Sequence, residues 1–371
     1  MRPLRIGVNA LYLIPGGVGG TEIYLRSLLA ALAGVDSVNH YFVFTNRETG
    51  ADLTPSQPNF TRVPQPIHAT SRPVRILWEQ TALPLAALRL RLDVLFNPGF
   101  TAPLLAPCPQ VTVFHDLQHI RHPEYFRWFD LPFWKVLLYG SAHVSRLLLA
   151  VSHATALDVR RHYRLPESKV RVATLGVDPV FFDLAPQRAP EPFLLAVSTL
   201  HPHKNLDGLL RAFAEFHREC PRFRLVVCGL HGFYTQPLLE LRETLGLAGM
   251  VDFPGWIPRA DLHDLFRRAW AFVYPSLFEG FGIPVVEAMA AGVPTACSDI
   301  EPIAGNVADA ALLFDPRDTA SMVQALRRIA NDDALRQRLA VDGPLRAREF
   351  SWRKTAKVTL DALTFRSSSL G

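Results

Sequence analysis

The strongest constraint on this chain is an alternation. Short apolar runs give way to amphipathic stretches of helical period, and the pattern runs through the sequence in two blocks. LRIGVN, from Leu4, reads as a strand. A glycine loop follows, then TEIYLRSLLAALAG as a helix, with Thr21 suited to the N-cap, Glu22 to the first turn and Gly34 to the stop. YFVFT (from Tyr41), DVLFN (Asp93), QVTVFHD (Gln110) and LLLAVS (Leu147) are further strands, several apolar on both faces as in a covered parallel sheet. The proline-rich segment from Gly176 to Pro192 reads as an interdomain linker. After it come strands FLLAVS, FRLVVCG, MVDFPG, WAFVYP, PTACSD and ALLFD, with helices from about Leu206, Gln236, Ala260 and Pro284. The fold class is therefore α/β, as two doubly wound domains, residues 1–178 and 190–350. Ligands of such domains bind outside the carboxyl ends of the strands, which predicts an interdomain cleft.

At 371 residues the chain is comfortable for two cores. The 39 Lys and Arg against 34 Asp and Glu give a net charge of +5, which fits anionic partners. No run of five or six basic residues marks a nucleic-acid arm, and no nucleic-acid module is recognisable, so nucleic-acid chemistry is not expected. Cys108, Cys220, Cys228 and Cys297 form no Cys-x-x-Cys pair and no zinc spacing. Four scattered thiols suggest a reducing compartment, with Cys228 and Cys297 as small buried hydrophobes. Asn9 and the glycine cluster interrupt the first apolar stretch too early for a signal peptide, and no segment is long enough to span a bilayer. A cytoplasmic protein is expected, resting at most on the inner face of the membrane.

The residues that carry chemistry cluster at predicted strand ends. PSLFEGFGIPVVEAMAAGVP, from Pro275 to Pro294, sets Glu279 in a loop and Glu287 near the start of a helix. Gly280 and Gly282 open the loop and Pro284 suits the first helical turn, so backbone N–H groups of Phe281, Gly282 and Ile283 can approach hydroxyls or an anion. The bland alternative makes both glutamates solvated charges. IPGGVGGTE, with Gly17, Gly19 and Gly20, brings glycines and a helix N-terminus to the end of the first strand. It lacks the third glycine of the dinucleotide fingerprint and the Gly-Lys of a P-loop. It suits a diphosphate or a sugar, or it is a plain tight turn. In STLHPHKNL, Lys204 is placed to neutralise a diphosphate, with Thr199 and His203 beside it. FHDLQHI ends a strand with His115 and Asp116, either structural or bonded to a sugar hydroxyl. Trp256 and Arg259 in FPGWIPRADL belong to a loop that would cover a nucleotide base, or are ordinary loop residues. Asp332 and Asp333 sit in a charged helical stretch and read as solvated, so no divalent metal is expected.

These segments, with AVSHATALDVRRHYRLPESKVRVATLGVD and a late FSW, are similar in order to glycosyltransferase family 4, the retaining transferases of group 1. The resemblance covers nearly the whole chain and is nearest to bacterial polysaccharide mannosyltransferases. It implies the GT-B fold, two Rossmann-like domains whose final helix, about 352–371, returns to the first. It implies a nucleotide-diphosphate sugar as donor, GDP-mannose before UDP-sugars, and a glycan or lipid-linked acceptor. Glu287 would then bind the nucleotide ribose, Glu279 lie by the donor sugar, Gly17 with Gly19 or Gly20 face the phosphates, and His115 stand near the reacting sugar. Retention would come from front-face attack, with the leaving phosphate taking the acceptor's proton. The chain departs from the pattern at Thr199, where relatives commonly carry arginine, and His203 is the candidate substitute. Two other readings share these features: a nucleotide-sugar 2-epimerase and a non-catalytic partner of an active transferase. The aromatic stretch from Glu124 to Arg146, with Arg127 and Lys135, is either core-facing or an interfacial surface that gives peripheral membrane contact.

Overall fold

The computed structural model describes residues 2–17, 19–230 and 232–365. They divide into two compact units, one running from Arg2 to Gly176 and including Trp352 to Phe365, the other from Val177 to Ser351. Each is a parallel sheet with helices on its faces, the Rossmann-like pattern expected from the alternation.

In the first unit the strands are β1 (Arg5–Ala10), β2 (His40–Thr45), β3 (Phe60–Pro64), β4 (Val94–Asn97), β5 (Gln110–Phe114), β6 (Leu147–Ala150) and β7 (Val170–Val172). All pair in parallel, in the order β3-β2-β1-β4-β5-β6-β7. The chain starts in mid-sheet, works to one edge, then returns and works to the other, so direction reverses between β1 and β4. All four residues of β6, LLLA, are buried, as a strand covered on both faces requires. The helices are α1 (Gly20–Val35), α2 (Arg72–Arg89), α3 (Gln118–Arg121), α4 (Leu131–Val144) and α5 (His153–Tyr163). Two details of α1 differ from the sequence reading. Gly19, at φ 56°, takes the N-cap place and puts Thr21 in the first turn. Gly34 lies inside the helix, which ends at Asp36; that carboxylate takes the Tyr41 hydroxyl and the Val38 and Asn39 amides instead.

The second unit holds β8 (Glu191–Val197), β9 (Arg224–Cys228), β10 (Val251–Gly255), β11 (Ala269–Tyr274), β12 (Thr295–Ser298) and β13 (Leu312–Phe314). Their order is β10-β9-β8-β11-β12-β13, again parallel, with the reversal between β8 and β11. The helices are α6 (Val180–Leu184), α7 (Leu206–Glu219), α8 (Thr235–Thr244), α9 (Arg259–Arg268), α10 (Ile283–Ala290), α11 (Ile303–Val307), α12 (Thr319–Asn331) and α13 (Asp333–Ala347). Helix α7 shows how the core is assembled: Leu206, Leu209, Leu210, Phe213 and Phe216 fall on one face at helical spacing and are buried. Asp332 separates α12 from α13 by accepting the Leu335 amide as an N-cap, while Asp333 pairs with Arg336 in the first turn. The cysteines are all free, with Cys228 and Cys297 buried at strand ends.

The segment read as a linker belongs to the second unit from Val177 onward. The physical reason is Phe181, buried on α6 with its ring edge-on to Phe266 at 5.3 Å and to His263 at 5.1 Å. The last helix, α14 (Trp352–Thr364), belongs to the first unit and packs on α1, with Trp352 6.1 Å from the Tyr24 ring. Thr355 donates to the Thr174 carbonyl at 2.6 Å and Arg146 to the Ala362 carbonyl at 3.1 Å. Residues 366–371 of the expected helix lie outside the described residues.

Gly229, just past β9, has φ 155°, and a Cβ there would stand 1.7 Å from the Ser198 carbonyl oxygen. The backbone leaving β8 is therefore pressed directly on the backbone leaving β9. We expect Gly229→Ala to destabilise the second unit by about 3 kcal/mol or more. Urea unfolding at pH 7 checks this; a loss below about 1 kcal/mol would mean the two backbones separate easily.

Candidate active site

Trp256 and Arg259 follow β10, whereas Thr199, His203 and Lys204 sit on the loop that leaves the carboxyl end of β8, and Glu279 to Gly282 on the one that leaves β11, the two strands at the topological reversal. The backbone locks these loops together. The His203 carbonyl accepts from the Leu277 amide at 2.8 Å. Asn205, at φ 54°, turns the chain into α7 and donates its side-chain amide to the carbonyls of Pro275 at 3.2 Å and Pro316 at 2.7 Å.

That lock sets Lys204 against Glu279. The ammonium lies 2.5 Å from Glu279 Oε1 and also donates to the Tyr274 hydroxyl at 3.2 Å. The same Oε1 accepts from the Tyr274 hydroxyl at 2.8 Å and the Ser276 hydroxyl at 2.7 Å. Both charged side chains are nearly buried, 13% and 11% exposed, so Glu279 is not a solvated loop charge and Lys204 is not a solvated loop cation. Burial, and then the Glu279 charge, push the Tyr274 phenol well above its usual range, so it stays a proton donor. Among the described residues Glu279 Oε2 has no hydrogen-bond partner, and one N–H of Lys204 is left over. The cluster is neutral in sum, yet it presents one acceptor and one charged donor.

Helix α10 begins beside it. Gly282 has φ 89°, a left-handed turn that favours glycine, and Pro284 occupies the first helical turn. The Phe281 carbonyl is turned away by the Asn306 side-chain amide at 2.8 Å. The amides of Phe281, Gly282 and Ile283 have no acceptor among the described residues, and they form the positive end of the helix. Glu287 is buried on α10, 6% exposed, and its carboxyl makes no hydrogen bond among the described residues. Burial raises it to about 8; the Arg259 charge opposes this and Asp178 adds to it. Arg259 is itself bonded to Asp178 at 2.6 Å. A buried, unpaired carboxyl is the reverse of the surface charge that the bland reading allowed.

The remaining residues are placed as follows. His203 Nδ1 lies 2.6 Å from His201 Nδ1, so one ring donates and the other accepts. Burial, and then the Lys204 charge, hold His201 below its usual range. Thr199 is exposed, as is Trp256 at 65%. In the first unit, His115 directly follows β5 and bonds through Nε2 to the Pro98 carbonyl at 2.8 Å, with Tyr24 edge-on at 4.8 Å. Burial lowers it to about 4, outweighing that bond. It is therefore neutral, with Nδ1 as a hydrogen-bond acceptor. At the glycine loop, Glu22 takes the Gly16 amide at 2.7 Å and pairs with Arg26 at 2.8 Å, while the Gly17 amide bonds to the Ile14 carbonyl. The amides of Gly19 and Gly20 remain at the start of α1. Val18 lies outside the described residues. Among the described residues no group of three His, Cys, Asp or Glu side chains is arranged to hold a metal ion.

The profile described as "Glycosyltransferase Family 4" matches residues 18–181, and that described as "Glycosyl transferases group 1" matches residues 183–345. O-antigen chain mannosyltransferase B of Escherichia coli is 30% identical over 263 residues, 68% of this chain and 69% of that protein. The chain belongs to the family 4, group 1 glycosyltransferases. A serotype-specific mannosyltransferase of Escherichia coli, WbdA, is 26% identical over 274 residues, 70% of this chain but only 34% of its own length. Among solved structures, Anabaena HepE in complex with UDP and glucose has a TM-score of 0.75 at 19% identity, covering 98% of this chain and 100% of that one. That likeness is one of fold, the GT-B arrangement of two Rossmann-like units.

Sequence reasoning missed several members of this glycosyltransferase's site. Tyr274 and Ser276 flank Pro275 at the end of β11, and their signal was present: a polar pair directly after an apolar run, at a strand's carboxyl end. His201 is bonded to His203 and Asn205 to the Pro275 carbonyl, on either side of Lys204 in the chain, which no spacing rule announces.

The carboxyl of Glu287 gives a pH test. Its ordinary value near 4.5 rises to about 8 in the fold, so the folded state keeps a proton that the unfolded chain has released. The stability contributed is complete below the unfolded value and is lost as pH rises toward 8. We expect Glu287→Gln to flatten this slope and to stabilise the second unit at pH 8 by about 2–4 kcal/mol relative to the native chain. Chemical denaturation at pH 5, 6.5 and 8 checks it; parallel slopes would mean that the carboxyl is ionised and solvated.

Proposed function

We propose that this glycosyltransferase is retaining and metal-independent. It would transfer mannose from GDP-mannose, with UDP-sugars next in order, to a glycan or lipid-linked acceptor in polysaccharide assembly. The observation that carries the reading is the convergence, at the reversal point of one sheet, of Lys204 on Glu279, the unpaired amides of Phe281 to Ile283, and the buried unpaired carboxyl of Glu287. The mannosyl and polysaccharide part draws on the O-antigen chain mannosyltransferase to which the chain is similar. UDP as second choice draws on HepE.

In this reading the bond between the anomeric carbon and the diphosphate oxygen breaks and the electron pair goes to the diphosphate. Lys204 meets that charge with its remaining N–H, held in place by Glu279. The α10 amides add fixed dipoles, each donor of this kind being worth roughly 3 kcal/mol in a transition state. Glu287 takes the vicinal hydroxyls of the ribose, and Glu279 Oε2 takes a hydroxyl of the sugar. His115 offers a neutral acceptor for another sugar hydroxyl. The acceptor's oxygen attacks the face that the diphosphate is leaving, and its proton ends on a phosphate oxygen, so configuration is kept.

Calorimetry with GDP, UDP, ADP and dTDP in the presence of EDTA tests the donor. We expect one preferred base, guanine, and binding that survives the chelator; binding only after added metal would overturn metal independence. We also expect Lys204→Ala to lower kcat/KM by roughly two orders of magnitude or more. Native-like kinetics in that variant would remove Lys204 from the mechanism, and an inverted product anomer by NMR would exclude retention.

A further inference from the structure

Phe100, in the segment that leaves β4, holds a backbone conformation that suits its side chain badly. Its φ is 69°, and the Thr101 amide closes back on the Gly99 carbonyl at 2.8 Å. A bond from one residue to the second before it, around a positive φ, is the rare and strained form of γ-turn. Bulky residues seldom adopt such a φ, whereas glycine does so freely. The sequence does have a glycine here, but one residue earlier, where a Cβ on Gly99 would collide with the Tyr12 ring. At position 100 the backbone asks for glycine and the chain keeps an aromatic ring.

The turn is fixed at both ends. The ladder between β4 and β5 stops at the pair Asn97 and Thr112, while β5 runs on to Phe114. Beyond that pair the Pro98 carbonyl accepts from His115 Nε2 at 2.8 Å. On the far side the Ala102 amide donates to the Ser141 hydroxyl of α4 at 3.0 Å, and the Ala102 carbonyl accepts from Gln80 of α2 at 3.1 Å. Thr101 between them is buried. A chain held this closely on either side cannot relax its φ by sliding, so the strain persists.

What the turn accomplishes is visible at His115. The Phe100 ring lies 5.0 Å from the imidazole, tilted by 59°, and stands edge-on to Phe114 at 6.1 Å. Tyr24, fully buried, meets the same imidazole edge-on at 4.8 Å. The His115 backbone is held as well, its carbonyl accepting from the Thr155 hydroxyl of α5 at 3.3 Å. Phe100 is only half-buried, and half-burial is a weak reason for a strained backbone. The carbonyl just before the turn and the ring at its centre converge on one imidazole. The carbonyl requires a proton on Nε2 and leaves Nδ1 as an acceptor. The two rings wall the imidazole against the flip that would exchange its nitrogens.

We propose that Phe100 is a positioning residue for His115: its strained turn sets the Pro98 carbonyl and an aromatic wall so that the imidazole keeps one tautomer and one orientation, with Nδ1 available to a sugar hydroxyl. The proposal rests on the part given to His115 in the proposed function.

Nitrogen NMR of the full chain labelled at histidine, at pH 7 and without ligand, reads the tautomer, and His115→Ala assigns the signals. We expect the native chain to show His115 as the Nε2–H form alone. Phe100→Gly removes the ring and the backbone strain together, so the fold should survive while the His115 signals shift toward a mixture of tautomers. Release of GDP from GDP-mannose should slow about tenfold in that variant with KM little changed, as expected for a misplaced group, and Phe100→Tyr should restore both readouts. A native tautomer pattern in Phe100→Gly overturns the proposal and leaves the part of His115 untouched. Native turnover in His115→Ala overturns that part, and the purpose of the turn with it. Should Phe100→Gly fail to fold, Phe100→Leu, which keeps apolar volume but loses the ring face, is read against the same two outcomes.

Discussion

The arrangement of the second unit hangs on two carbonyl oxygens. The chain leaving β8 and the chain leaving β11 are neighbours because the sheet reverses its winding between them, but adjacency alone would leave two loops free to move apart. The His203 carbonyl, taking the Leu277 amide, and the Pro275 carbonyl, taking the Asn205 side chain, join them into one piece. Only then do Lys204 and Glu279, far apart in sequence, meet at 2.5 Å. Such a pair is usually a poor contributor to stability when nearly buried, because desolvation consumes the attraction. Here Tyr274 and Ser276 share the burden by donating to the same oxygen. The outcome is a charge held still rather than a strong bond.

Glu287 shows the opposite economy. Every other force in α10 favours an apolar helix, and its neighbours Val285, Val286, Ala288 and Met289 are all buried hydrophobes. A carboxyl among them with no donor among the described residues is a local loss. Sequences keep such losses where a ligand supplies the missing partner. The free amides at the start of the same helix make the same statement with opposite polarity.

Much of this was legible in the chain. Strand and helix alternation gave two parallel sheets because apolar strands covered on both faces leave few other solutions. The glutamate pair, the glycine-opened loop and Lys204 stood out because each broke a local rule, a charge or a glycine where packing asked for neither. What escaped was of two kinds. Strands such as β3, FTRVP, and β7, VRV, break their apolar residues with Thr or Arg and so show no apolar run. The other kind is reciprocal contact: that Tyr274 and Ser276 serve Glu279, that His203 is tied to His201, or that Glu22 occupies the Gly16 amide in the loop expected to face phosphates. These depend on which loops meet, and one-dimensional spacing does not contain that. The aromatic stretch near α4 was ambiguous for the same reason, since a stripe of apolar residues looks alike whether it faces protein or water.

The return of α14 to the first unit has a consequence for synthesis. Helix α1 leaves the ribosome long before α14, yet Tyr24 and its neighbours are covered by that helix, which begins at Trp352. The second unit, by contrast, is continuous from Val177 to Ser351 and has all its parts before α14 exists. The half made first is thus finished last. Throughout translation it carries an uncovered apolar seam on α1, a reason for a nascent chain of this topology to need a holding chaperone and to tolerate C-terminal truncation poorly.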